Sequence, residues 1–205
     1  MSLGTEVGYR PHQRMMRQGE DHRHVLVVLS GRVKITVTSE FGRDLLVAVR
    51  GPGDLLGEMA VLENERRTAT VIASGPATAR VIKGSELAEF MERHSEACLA
   101  LAGMLSERLR RLHARCVDMI VCPAPARVAR VLADLVRFHG RRTPEGWSLD
   151  VPLTQHELAA LAGVALSSVE KALRDLRRNG LLQQRGRRIV ITDLAGLRRN
   201  GGLNG

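Results

Sequence analysis

Glu58, Arg67 and Thr68 are residues whose types and spacing could recognise a ligand. They fall in one short segment, Gly57-Glu58-Met59-Ala60 followed after six residues by Arg67-Thr68-Ala69. A guanidinium at Arg67, the hydroxyl of Thr68 and backbone N–H groups after Gly57 could hold a single phosphodiester charge by charge-assisted hydrogen bonds. The Glu58 carboxylate is a natural acceptor for a free ribose 2′-hydroxyl. A cyclic nucleotide offers those two polar features together. Catalysis is the least supported class, because no nucleophile–base pair, Walker loop or paired-acid arrangement accompanies the segment.

The elements that must position this segment are short strands. Val25-Leu26-Val27-Val28-Leu29 and Val33-Lys34-Ile35-Thr36-Val37 are β-branched runs separated by Ser30-Gly31-Arg32, which predicts two strands and a turn. A second hairpin is expected around Ser39–Arg43 before Leu45–Val49, and Thr70–Ala73 and Ala77–Ile82 supply two further strands. Strands at this spacing with glycine-rich turns predict a small barrel or roll. Ser85 is expected to cap a short helix over Glu86–His94, and Ser95 to begin a long one to about Val121. On the long helix Cys98, Leu105, Leu112 and Met119 recur every seven residues, with Ala102, Leu109 and Cys116 interleaved four later, a heptad seam. Arg108, Arg110, Arg111 and Arg115 beside it read as a solvated face.

Pro123 and Pro125 break the chain and predict a hinge before a helix with Val128, Val131, Leu132 and Leu135 inward. Phe138–Asp150 reads as a connector leading to a short strand over Leu149–Leu153. Thr154 lies three residues before Glu157, a capping box that starts a helix ended by Gly163. Val164-Ala165-Leu166 turn the chain into a second helix with Val169, Ala172, Leu173 and Leu176 inward. Its outward residues include Ser167, Ser168, Lys171, Arg174 and Arg178. In a helix-turn-helix the exposed N-terminal residues of the second helix reach base edges in the major groove. Ser167, Ser168 and Lys171 are therefore the base-contact candidates, with Thr154, Gln155 and Arg174 assigned to phosphates. Leu181–Ile191 reads as a wing turning through Arg185-Gly186-Arg187-Arg188, whose arginines, Arg187 among them, could grip the DNA backbone.

Charge agrees with that placement. Residues 1–122 carry 17 Lys and Arg against 15 Asp and Glu, whereas residues 123–205 carry 14 against 7, so most of the net +9 lies in the C-terminal part. Phosphate neutralisation requires such an excess. The chain has 205 residues, 44% of them apolar, which suffices for buried cores without disulfides or metals. No run reaches the length of a membrane span and no signal-peptide pattern opens the chain, so a cytoplasmic protein is expected. Cys98, Cys116 and Cys122 are odd in number and lack C-x-x-C spacing. His12, His22 and His24 match no metal motif, and no metal site is expected.

G-E-x-A, a loop and R-[ST]-A resemble the phosphate-binding cassette of cyclic-nucleotide-binding domains. Together with the winged helix-turn-helix pattern from Leu153 to Arg188, they resemble the CRP/FNR family of transcription regulators over nearly the whole chain. The resemblance implies an α+β fold. A cyclic-nucleotide-binding β-roll would span residues 1–94 without the family's usual N-terminal helix and first strand. A dimerisation helix over 95–122 and a DNA-binding domain over 123–205 would follow. It implies a homodimer joined through Leu105, Leu109, Leu112, Cys116 and Met119, a palindromic double-stranded operator, RNA polymerase as a further partner, and cAMP or cGMP as effector at Gly57, Glu58, Met59, Ala60, Arg67 and Thr68. Members that respond to cAMP carry a Thr-Ser pair against the adenine, where this chain has Leu112 and His113. His113 is the candidate base contact. Two alternatives remain open: a regulator that needs no nucleotide and keeps a vestigial cassette, and a nucleotide-binding module whose basic domain docks on a protein. The recognition helix also departs from the family's Arg-Glu start and later Arg, reading Leu166, Ser167 and Lys171 in their places.

Overall fold

The computed structural model describes residues 3–186 and 188–203 and has the expected α+β architecture: a β-roll, a long helix and a winged helix-turn-helix. In chain order the elements begin with β1 (Thr5–Tyr9), β2 (Arg14–Met16), β3 (His24–Ser30), β4 (Val33–Thr38), β5 (Asp44–Arg50) and β6 (Leu55–Leu56). Then follow α1 (Glu58–Leu62), β7 (Thr70–Ala73), β8 (Ala77–Lys83), α2 (Gly84–Arg93) and α3 (Ser95–Val121). The remainder is α4 (Ala124–His139), β9 (Gly140–Thr143), β10 (Gly146–Leu149), α5 (Gln155–Ala162), α6 (Leu166–Arg178), β11 (Leu182–Arg185), β12 (Arg188–Ile191) and α7 (Leu194–Asn200). Two compact units result. One runs up to Asp44 and from Arg50 to Cys116; the other holds Leu45–Val49 and the chain from Val117 on.

The roll contains two four-stranded sheets, ordered β1-β8-β3-β6 and β2-β7-β4-β5. β8 is central to the first, pairing antiparallel with β1 and with β3. Met15, Met16, Leu26, Val28, Val33, Leu56, Val71 and Ala79 form the roll's core, and Val25, Ile82 and Leu87 a smaller cluster beside it. Strands β1 and β2 were not expected from the sequence. Nor was the Ser85 cap correct: α2 begins two residues earlier than expected, at Gly84, and Lys83 at its N-cap makes no side-chain bond. The Gly84 N–H instead donates to the Arg23 carbonyl at 2.8 Å, so β8 passes into the helix without a polar cap.

α3 matches its expected bounds, and none of its 27 residues is buried. Leu109, Leu112 and Met119 are each about half exposed, Ile120 is 85% exposed, and Cys116 is also exposed. Leu105 is half-buried.

The second unit is built on α4, whose Val128, Leu132 and Val136 pack with Leu158 and Leu161 of α5, Val169, Leu173 and Leu176 of α6, Ile189 and Ile191 of β12 and Leu197 of α7. Within the expected connector Phe138–Asp150, the first two residues end α4 and the rest is a hairpin, β9 with β10, in a sheet ordered β11-β12-β10-β9. Gly146 is the reason: with φ at 135° and the Ile191 carbonyl against it, the position admits no Cβ, so the glycine serves close strand approach and not a loose loop. The expected strand over Leu149–Leu153 ends at Leu149. Thr154 caps α5 as a full capping box: its Oγ1 accepts from the Glu157 N–H at 3.1 Å, and its own N–H donates to Glu157 Oε2 at 2.7 Å. Replacing Thr154 with Ala removes one half of this exchange. The expected cost is about 1 kcal/mol, measured as a lowered urea midpoint with unchanged slope.

Candidate functional site

Gly57 turns the chain at φ 81° and ψ 8° and delivers Glu58 to the first position of α1. A Cβ at Gly57 would press on Arg67 Nη1 and the Met16 thioether, and the positive φ already favours glycine there. Glu58 and Arg67 are 5% and 3% exposed, both charged groups taken out of water. Ala60 is buried beneath them, while Met59 and Thr68 are exposed.

Glu58 is compensated by Arg108 of α3, whose Nη1 donates to Glu58 Oε1 at 2.6 Å. The other terminal nitrogen of Arg108 donates to the Leu55 carbonyl at 2.7 Å and lies 3.4 Å from Asp54 Oδ1. Asp54 Oδ1 is also 3.9 Å from Arg50 Nε, and burial, then the Arg108 charge, pull the Arg50 pKa down to about 10 despite Asp54. The solvated-face reading of the arginines on α3 therefore fails at Arg108, whose side chain is 17% exposed. Four arginines on one helix look alike in sequence. The missed signal lay in Asp54 and Glu58, two acids around a glycine turn that call for a cation.

Arg67 is held by carbonyls instead of carboxylates. Its Nη1 donates to the Gly57 carbonyl at 2.8 Å and its Nη2 to the His24 carbonyl, while its Nε has no partner. Burial lowers its pKa, Glu20 and Glu58 oppose that, and Arg23 adds to it. An anion beside Arg67 would find a guanidinium already desolvated and hydrogen-bonded only to neutral carbonyls, the arrangement in which a charge-assisted hydrogen bond gains most. The Thr68 hydroxyl makes no hydrogen bond among the described residues. Leu112 and His113 are both exposed on α3, and the His113 ring has no polar partner among the described residues.

In the helix-turn-helix, α5 ends at Gly163 and α6 starts at Leu166. Val169, Ala172, Leu173 and Leu176 form the buried stripe. Ser167, Lys171 and Arg174 are exposed, Ser168 and Gln155 half-buried. Thr154 spends its hydroxyl on the α5 cap. Of the wing arginines, Arg187 lies outside the described residues, and Arg188 is turned onto the sheet, its Nε donating to Ser148 Oγ at 2.9 Å. Sequence reasoning missed α7, whose start is signalled by Asp193 accepting from the Gly196 N–H at 2.9 Å. No helix is long and apolar enough to cross a membrane, and no metal-binding cluster occurs among the described residues.

Comparison with known proteins places two family models on the chain: a cyclic nucleotide-binding domain over residues 6–94 and a Crp-like helix-turn-helix domain over residues 126–200. The chain is 32% identical over 178 residues to a CRP-like cAMP-activated global transcriptional regulator of Mycobacterium tuberculosis, covering 86% of this chain and 79% of that protein. Among solved structures it is similar to a CRP-family transcriptional regulator of Thermus thermophilus, with a TM-score of 0.77, 26% identity and 96% of each chain covered. FixK2 of Bradyrhizobium japonicum shares the fold, with a TM-score of 0.79 at 24% identity, covering 100% of this chain and 98% of that one.

His24 gives the cassette a pH dependence. Burial lowers its pKa first, the Arg67 and His22 charges next, and Glu20 opposes them. With the folded value below the unfolded one of about 6.5, the unfolded chain takes up the proton first as pH falls, so stability present above that value is lost through the folded pKa. Urea unfolding followed by circular dichroism should show stability decreasing from pH 7.5 to 5.5, and His24→Gln should flatten that slope. Equal slopes in the two proteins would refute the assignment.

Proposed function

We propose that this chain, which belongs to the CRP/FNR family of transcription regulators, is a homodimeric, sequence-specific DNA-binding regulator gated by a cyclic nucleotide, cAMP or cGMP. The observation that carries the reading is the pairing, in one cassette, of a buried Arg67 held only by neutral acceptors with a buried Glu58 tied to α3 through Arg108. Arg67, Thr68 and the N–H groups after Gly57 take the cyclic phosphate, and Glu58 takes the ribose hydroxyl. Ala60 floors the pocket, Met59 edges it, and His113 is the candidate base contact. The Mycobacterium tuberculosis relative, described as cAMP-activated, supports the effector class.

A ligand activates only if it binds the DNA-competent arrangement better than the other. Arg108 makes α3 the first element to sense occupancy, since one side chain joins the ribose acceptor to that helix. The exposed apolar residues on α3 support a second copy of the chain packed along Leu105, Leu109, Leu112, Cys116 and Met119. Ser167, Ser168 and Lys171 then read bases in each half of a palindromic operator, with Gln155, Arg174 and Arg187 on phosphates; Thr154, whose N–H and hydroxyl are both engaged with Glu157, is not among them. A second reading, a regulator that needs no nucleotide, draws on Leu112, an exposed apolar residue where cAMP-responsive members hold a hydroxyl.

Calorimetric titration of the dimer with cAMP and cGMP, followed by DNA binding at fixed salt with and without each nucleotide, tests the proposal. Arg67→Ala should weaken nucleotide binding about 10- to 150-fold, the worth of a charged hydrogen bond, while leaving DNA affinity in the absence of nucleotide intact. Absence of nucleotide binding by the wild-type protein, with specific DNA affinity retained, selects the nucleotide-independent regulator.

A further inference from the structure

One residue on the outward face of α6 carries the wrong sign for a surface that meets phosphates. Ser167, Glu170, Lys171 and Arg174 are all exposed and recur at intervals of three and four, which puts them on one helix face. Serine, lysine and arginine can donate to a base edge or a phosphate; an ionised carboxylate can only accept. In the middle of this face Glu170 repels the backbone of every DNA sequence alike, and so weakens non-specific binding. Lys171 follows it directly and Arg174 lies one turn on, yet Glu170 is in no ion pair with either among the described residues. Its charge is left available on the face where bases are read.

Base edges respond to that charge unequally. In the major groove cytosine presents the N4 amino donor, guanine the two acceptors N7 and O6, thymine the acceptor O4, and adenine a donor flanked by the acceptor N7. A carboxylate is attracted by cytosine, repelled by guanine and thymine, and met by both signs at adenine. We propose that Glu170 is a specificity-determining residue that accepts a hydrogen bond from a cytosine N4 amino group in each operator half-site and excludes guanine and thymine from that position. Lys171 beside it supplies donors to the O6 and N7 of a guanine paired with or next to that cytosine. The carboxylate thus works by difference: it disfavours all sequences and is compensated on one. The inference rests on α6 acting as the DNA reader.

In vitro selection from a random duplex library, with the full-length protein and each nucleotide present or absent, tests it for the wild type, Glu170→Ala and Glu170→Gln. Titration of the selected duplex and its single-base variants at fixed salt then follows. The wild type should select one C·G pair in each half-site and discriminate there about 5- to 150-fold. In Glu170→Ala that discrimination should fall to within about twofold with the rest of the motif unchanged, while mixed-sequence DNA binds more tightly as the repulsion is lost. In Glu170→Gln adenine should gain at the same position, because a carboxamide matches N6 and N7 together. Motifs identical to the wild type at every position in both variants overturn the proposal, as does a loss spread evenly over all positions. A wild-type protein that selects no motif overturns the DNA-reader reading itself and this inference with it.

Discussion

Two opposite charges buried in one thirteen-residue segment, residues 57–69, set the terms for the rest of the roll. A carboxylate or guanidinium taken out of water costs several kcal/mol unless hydrogen bonds and opposite charge return it. Glu58 meets that requirement through Arg108, and Arg67 through the carbonyls of Gly57 and His24. Each solution constrains something else. A Cβ at residue 57 would push the Arg67 guanidinium and the Met16 thioether aside, and the glycine's left-handed backbone, which an L side chain rarely adopts, delivers Glu58 into α1. Arg108 can reach Glu58 only from a helix running beside β6, and its hold on the Leu55 carbonyl fixes that approach. Fold and the proposed binding chemistry are here one set of contacts.

α3 presents the complementary problem. A helix of 27 residues with none buried has little of the packing from which most helices in proteins draw their stability. Pairs such as Arg111 with Glu107 add only about 0.3–0.5 kcal/mol each. Leu109, Leu112, Val117, Met119, Ile120 and Val121 keep much of their apolar surface in water. A second copy, as proposed, would remove that surface from solvent and add the apolar packing that α3 finds little of in its own chain.

The cassette, the bounds of α3 and the Thr154 capping box were legible in sequence because each is local. A glycine turn, a helix-starting serine and an S/T-x-x-E exchange are closed within a few residues. What was not legible depends on long-range pairing. Arg108 and Glu58 are 50 residues apart, and nothing in the arginine's neighbourhood separates it from Arg110 or Arg111. The β9–β10 hairpin was hidden because Gly140 and Gly146 carry the composition of a loop, while their role is close backbone approach to Val136 and Ile191. Ser85 misled for the opposite reason. Its type suits a cap, but the Arg23 carbonyl receives the Gly84 N–H and no polar side chain is needed.

The same contacts decide which half of a cyclic nucleotide would do the switching. Arg108 occupies Glu58 Oε1, and Oε2 accepts nothing among the described residues. A carboxylate has room for several donors, so a ribose hydroxyl can add at Oε2 without expelling Arg108, and sugar binding by itself leaves the hold on α3 in place. Arg67 differs. Its terminal nitrogens serve neutral carbonyls and its Nε serves nothing, so a phosphate offers a stronger acceptor than any it now has. On the proposed reading, an incoming phosphate would compete with the Gly57 and His24 carbonyls for this guanidinium, and Gly57 is the residue that sets the direction of Glu58. A ligand can shift an equilibrium only by its differential affinity for the two states. On the proposed reading the difference would reside at the phosphate, with the hydroxyl contributing affinity that is nearly the same in both.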